Sequence, residues 1–225
     1  MIIHELRLLT HRLQEQRDFY HHLLGIPLLT ADADKAVLQV GSSILIFAAA
    51  ATPIPAPYHF AFDIPERQFA EAKAWLAARV PLLTDASGAD EFDFSAWNAH
   101  AVYFADRDGN IGEFIARHDL PGPATRPFGA TSLLSISEIG LAVDDVLPFV
   151  QRLQTSIHLS VYLQHPTATF TPVGDEHGLL IVVKDGRRWF PEERLAAHAA
   201  PLTVVISLPA TAGQHTIHGP PYRIA

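Results

Sequence analysis

Residues 59–83 read HFAFDIPERQFAEAKAWLAARVPLL. HFAFDI alternates as a strand does, and Pro65 then opens a helix at its tolerated first turn. Phe69, Ala72, Leu76 and Val80 fall on one helical face. PLLT (81–84) reads as a short strand, and residues 85–97 are polar and irregular. AHAVYFA (99–105) and IGEFIAR (111–117) read as strands joined by DRDGN, where Gly109 and Asn110 tolerate positive φ. The order is strand, helix, then three strands.

The same order stands upstream. Residues 2–10 alternate, and LQEQRDFYHHLLG (13–25) places Leu13, Phe19, Leu23 and Leu24 on one face, with Gly25 as its C-cap. IPLLT (26–30), KAVLQV (35–40) and SSILIFAA (42–49) follow as strands. Laying Glu5 over His59 superposes the two copies with a period of about 54 residues. A weaker third copy runs from EIGLAVDDV (138–146) through the helix LPFVQRLQTSI (147–157) to SVYLQ, TATFTP and GLLIVVK. A short helix, PEERLAAHA (191–199), the strand LTVVISL (202–208) and a tail make a truncated fourth. The predicted fold is α+β. Paired βαβββ modules at 1–118 form an open curved sheet around a ligand cup, with helices outside. A linker at 119–131 leads to the third and truncated fourth modules at 132–225.

Bulk properties narrow the function. The 225 residues are 48% hydrophobic and 18% charged, which suits a globular chain. The net charge is −8 without a Lys/Arg run, so nucleic acid is not an expected partner. Cysteine is absent, which excludes disulfides and thiolate chemistry and fits a cytoplasmic setting. MIIHELRLLT does not read as a signal peptide, and no apolar run reaches the roughly 20 residues of a membrane span, so no membrane association is expected. G-x-S-x-G, P-loop and G-x-G-x-x-G motifs are missing.

Three stretches carry a family likeness. ELRLLTHRLQEQRDFYHHLLGIPLL (5–29), HFAFDIPERQFAEAKAWL (59–76) and VYFADRDGNIGEFIARH (102–118) resemble the vicinal-oxygen-chelate superfamily of glyoxalases, bleomycin-resistance proteins and extradiol dioxygenases. The last resembles its D-P-x-G-N-x-x-E hairpin, with Arg107 in the proline position. The resemblance is good over 1–118 and faint beyond. It implies two modules closing around a small-molecule cup, a divalent metal held by first and last strands, and a homodimer. The duplicated C-terminal half offers an internal substitute for that dimer contact.

Strand alternation selects candidates on this frame. With Phe60 and Phe62 packed on the helix, His59 and Asp63 face the cup. With Leu6 and Leu8 packed likewise, Glu5 and Arg7 face it. His4 takes the place of Glu5 only if the strand slips or bulges. Glu113 sits in an otherwise apolar strand, where a lone carboxylate is costly. The expected metal donors are Glu5, His59 and Glu113. The stretch around Phe47 adds no donor, only cup lining, which leaves open positions as in extradiol dioxygenases. The metal is Fe, Mn, Ni, Co or Zn. His100 and Tyr103 are candidate catalytic groups, and Arg7, Asp63, Trp97 and Phe47 candidate substrate contacts. Glu138 repeats the position of Glu5 and His59, and with GDEHG (174–178) it forms a candidate second site or a polar turn. His21 and His22 read as surface residues at a helix C-terminus. His215 and His218 have no assigned partner. The chain thus reads as a metal-dependent enzyme of dioxygenase or glyoxalase type. The alternative is a metal-free protein of bleomycin-resistance type that sequesters a small molecule, with Glu5–Arg7 a hydrated ion pair and His59 a hydrogen-bonded core residue.

Overall fold

The computed structural model describes residues 1–122, 127–208, 217–219 and 222–224. Module one contains β1 (Ile2–Thr10), α1 (Leu13–Arg17), β2 (Leu28–Ala31), β3 (Lys35–Val40) and β4 (Ser43–Ala49). α1 widens into a π-helical segment, Asp18–Leu23, that buries Phe19 and Tyr20. Gly25, at φ +72°, ends it, and the Ile26 N–H reaches back to the Tyr20 carbonyl at 2.9 Å. Module two contains β5 (His59–Asp63), α2 (Phe69–Ala77), β6 (Phe92–Phe94), β7 (Ala99–Ala105) and β8 (Ile111–Arg117). Module three contains β9 (Ser135–Val143), α3 (Val146–Ile157), β10 (Phe170–Asp175) and β11 (Gly178–Lys184). β12 (Leu202–Ser207), β13 (Ile217–Gly219) and β14 (Tyr222–Ile224) form the shortened fourth. None of the described helices is long and apolar enough to cross a membrane.

One pairing rule recurs. The first strand of each module pairs in parallel with its last: β1 with β4, β5 with β8, β9 with β11, and β12 with β14. First strands then pair antiparallel between modules, β5 with β9 and β1 with β12. β1 and β9 touch at Ile3 and Ile136, so the fourteen strands form one open sheet. The helix-side core holds Leu6, Leu8, Phe47, Phe60, Phe62, Phe104 and Phe114. A second apolar cluster on the opposite face holds Ala61, Ala101, Tyr103, Ile115, Ile181 and Trp189.

The structure corrects the expected cup. Module two faces module three, not module one. β5 is buried along its whole length, and β9 is buried from Ile136 to Ala142. β1 instead presents exposed His4 and Arg7 and half-buried Glu5 beside β12. Strands covered on both faces match one another, whereas a strand with a wet face does not suit that seam. β1 also carries the bulge that His4 would need, with a register shift between Ile3 and Glu5 against β12.

Smaller elements differ too. PLLT and SVYLQ shrink to single bridges, Leu82–Phe104 and Val161–Val173. PEERLAAHA is not helical. Its backbone groups serve a loop instead, in which Trp189 N–H bonds Leu195 and Ala197 N–H bonds Arg187. Conversely, β6 arises inside the stretch read as irregular, opposite Ala99–Ala101. His215 lies outside the described residues, and His218 stands opposite Arg223 in β13.

The DRDGN turn does more than join β7 to β8. Asp106 Oδ1 accepts the backbone N–H groups of Asp108 and Asn110, each at 2.9 Å. Its Oδ2 accepts from Gln16 Nε2 at 2.9 Å, Tyr20 Oη at 3.0 Å and Asn110 Nδ2 at 2.8 Å. One buried carboxylate thus ties the module-two turn to the module-one helix. Asp106→Ala should leave these donors unmatched and lower stability by about 2–4 kcal/mol, measured by urea unfolding. A change below about 0.5 kcal/mol would show that the turn holds without it.

Candidate metal centre

Alternation along β5 sends Phe60 and Phe62 into the helix-side core and leaves Ala61 on the concave face. His59, at one end of that face, is 7% exposed. Glu113 on β8 stands beside Ala61, and Glu138 on β9 stands across from it. Parallel pairing within module two and antiparallel pairing with module three therefore deliver three donors to one point. Ligand atoms of His59, Glu113 and Glu138 all lie within 4.8 Å of one another, and Glu113 and Glu138 are each 2% exposed.

Each donor is oriented by its neighbours. His59 Nδ1 lies 3.1 Å from the Ile111 carbonyl, which can only accept, so Nδ1 carries the hydrogen. Nε2 keeps its lone pair and sits 3.5 Å from Glu113 Oε2. Burial, aided by the Arg187 charge, pushes the imidazole down to about 4, so it is neutral near pH 7. Burial and the nearby Glu138 raise Glu113 well above the carboxylate range. Burial likewise pushes Glu138 up to about 7, against the pull of Arg117. Tyr103 stands beside Glu113 across the β7–β8 ladder, and burial together with the Glu113 charge keeps its hydroxyl protonated. Arg117 Nη2 holds Glu138 Oε1, while its Nε lies 3.3 Å from Ser137 Oγ and 3.7 Å from Asp63 Oδ1.

The charge count of this cluster matters. Asp63, Glu113 and Glu138 are buried beside one buried guanidinium, Arg117. Fully ionised, they would leave two negative charges unmatched, which low dielectric makes costly. Either protons or a divalent cation can balance them. A neutral imidazole tautomer fixed through a backbone carbonyl, and two buried carboxylates of which Glu138 is steadied by Arg117, form a donor set suited to the cation.

The donors border a cavity of about 300 Å³. Its walls are Phe94, Trp97, Tyr103, Phe170, Ile181, Trp189 and Phe190, with Gln164 and Arg187 as further polar members. Arg117 also borders a separate cavity of about 450 Å³, lined by Asp63, Ser135 and His177 among others.

The sequence-derived candidates divide accordingly. His59 and Glu113 meet, and Tyr103 and Trp97 line the same cavity. Glu5 does not join them. It lies on β1 between Ile44 and Val205, and Glu138 from the equivalent position of module three stands with His59 and Glu113 instead. Exposed Arg7 shares that other surface, opposite Ile46 and Thr203. His4 bonds Ser207 Oγ at 2.7 Å. Asp63 turns to Arg117 and Ser135 and borders the separate cavity. Phe47 is fully buried in the helix-side core, stacked on Tyr20 at 4.9 Å. His100 faces away as well. Ala99, Ala101 and Tyr103 share the concave face, so His100 points with Phe104 toward the helices, 2.8 Å from His118 Nε2 and 5.5 Å from the Phe69 ring. In GDEHG, Asp175 pairs with the Met1 ammonium and accepts the His177 N–H, which is the polar-turn arrangement. His21 caps the Ile26 carbonyl at 2.9 Å, and His22 is exposed near Asp18. Arg187, Trp189 and Phe190 carried no sequence signal, since they stand between the strand GLLIVVK and the expected helix PEERLAAHA.

No protein-family model matches the chain, and a search of curated proteins finds no match. Solved structures do match. A mutant of glyoxalase I from Zea mays aligns over 99% of this chain and 92% of its own, at 10% identity and a TM-score of 0.60. A protein of Bacillus subtilis strain 168 assigned as a dioxygenase aligns over 91% of this chain and 69% of its own, at 17% identity and a TM-score of 0.59. With the repeated βαβββ order and the open sheet, these likenesses show that the chain has the fold of the vicinal-oxygen-chelate superfamily.

Proposed function

We propose that the protein is a divalent-metal-dependent enzyme acting on a small substrate with vicinal oxygens, its metal held by His59, Glu113 and Glu138. The observation that carries this is the convergence of one neutral imidazole and two buried carboxylates within 4.8 Å beside a cavity of about 300 Å³. Three protein donors leave coordination positions open, which favours extradiol-dioxygenase-like over glyoxalase-like chemistry. The aromatic walls favour a flat substrate in the same sense. A bound divalent ion would supply Lewis acidity toward vicinal oxygens or a centre for oxygen activation.

The chain's own residues divide the remaining work. The Ile111 carbonyl fixes His59 as a donor through Nε2. Arg117 holds one oxygen of Glu138 and leaves the other for the site. Tyr103, kept protonated, lines the cavity beside Glu113 and is placed to donate toward a substrate oxygen that gains charge. Phe94, Trp97, Trp189 and Phe190 exclude water and offer ring faces for stacking.

Metal analysis of the purified protein tests the reading directly. The wild type should bind about one equivalent of Fe, Mn, Ni, Co or Zn, and His59→Ala, Glu113→Ala and Glu138→Ala should each reduce affinity at least tenfold. Glu5→Ala should retain it. Stoichiometric binding that survives the first three substitutions removes the assignment. Metal-free wild type that still binds its ligand would favour a non-catalytic binder.

A pH series adds a second check. Below about 7, Glu138 holds a proton that the metal must expel, and burial with the nearby Glu138 raises Glu113 above the ordinary carboxylate range as well. Metal affinity should therefore rise as pH increases from 6 to 8, with proton release measurable by calorimetry in buffers of different ionisation enthalpy. A flat profile would mean that these carboxylates are not displaced from their protons by the ion.

A further inference from the structure

Residues 185–201 connect β11 to β12 and fold over the cup. The loop closes on itself, with Gly186 N–H to Ala197 O and Ala197 N–H to Arg187 O at 2.7 Å, and Trp189 N–H to Leu195 O at 2.9 Å. It is anchored beside the sheet by Asp185 N–H to Val143 O at 2.9 Å. Its self-contained bonding makes it a formed flap that carries Arg187, Trp189 and Phe190 to the cavity.

Two of these side chains have unspent polar capacity. Trp189 is 6% exposed, its ring lies 5.0 Å from that of His59, and its Nε1 is buried without a hydrogen-bond partner. A buried indole N–H normally finds an acceptor, and here it borders a cavity. The indole fits because Gly140 on β9 has no side chain. A Cβ there would come within 2.6 Å of Trp189 Cη2. Arg187 lies over the Phe170 ring at 5.0 Å and donates to the Arg188 carbonyl at 3.1 Å. Among the described residues no carboxylate forms an ion pair with it. Glu193 reaches it electrostatically without such a contact. Arg187 thus lines the cavity as a cation with no ion-pair partner among the described residues.

We infer that Arg187 and Trp189 form an anion-reading end of the cup, and that the substrate is a flat aromatic carboxylate. Its ring lies among Trp97, Trp189 and Phe190, and its carboxylate accepts from the Arg187 guanidinium, whose planar donors suit a carboxylate. This rests on the proposed function only in placing the vicinal oxygens toward His59, Glu113 and Glu138. The anion end itself needs no metal.

The test compares 3,4-dihydroxybenzoate with its neutral counterpart 3,4-dihydroxybenzamide by calorimetry on the full chain, metal-depleted and metal-loaded. Wild type should bind the carboxylate at least about tenfold more tightly than the amide in both states. Arg187→Gln should abolish that preference, and Arg187→Lys should keep part of it, with far-UV circular dichroism confirming that each variant is folded. An undiminished preference in Arg187→Gln, or no preference in wild type, overturns the inference. A preference that disappears on metal depletion but survives Arg187→Gln puts the carboxylate on the ion, which overturns the anion end and leaves the metal assignment standing. An Arg187-dependent preference in a protein that binds no metal supports the anion end and defeats the metal assignment.

Discussion

Three carboxylates and one guanidinium lie buried along the seam where β5 meets β9, and the rest of the site depends on how that charge is balanced. Arg117 reaches both Glu138 on β9 and Asp63 on β5. It therefore joins two modules and, through Glu138, orients one donor of the candidate centre. A buried cation with such partners cannot be withdrawn without stranding charge, so the register of the seam and the shape of the site are set together.

Polar groups orient other donors as well. The Ile111 carbonyl chooses the tautomer of His59, and Tyr103 stands beside Glu113 across the β7–β8 ladder. All of these groups sit on strands within one continuous sheet, where geometry is held by packing on both faces. The cavity walls follow another logic. Beyond Tyr103 and Ile181 they come from the module-two segment around Trp97, from β10 and from the flap, so most of the walls lie outside the strands that carry the donors.

Much of this was legible in the residues themselves. Two-residue alternation separates His59 and Ala61 from Phe60 and Phe62, and the structure keeps that separation. Glu113 announces itself as a carboxylate in an apolar strand. Glu138 was visible as the repeat of the Glu5 and His59 position, but its partner was not. Similarity pointed to module one, whereas burial on both faces of β5 and β9 decided the pairing. A closer use of alternation would have excluded His100, because Tyr103 faces Glu113 across the hairpin and His100 is an odd number of residues away. Phe47 fails for a related reason, since it lies opposite Leu8, whose side chain packs on the helices. The loop residues Arg187 and Trp189 were beyond reach, because no periodicity reports which way an irregular segment folds back.

The flap is closed by its own backbone bonds and inserted between two strands of a sheet that pairs without it. Such a segment can change in length or side chain while the donors beneath stay in register. Diversification of a chain built this way would concentrate in that connector, with new chemistries of recognition arriving by replacement of one loop over an inherited reactive floor.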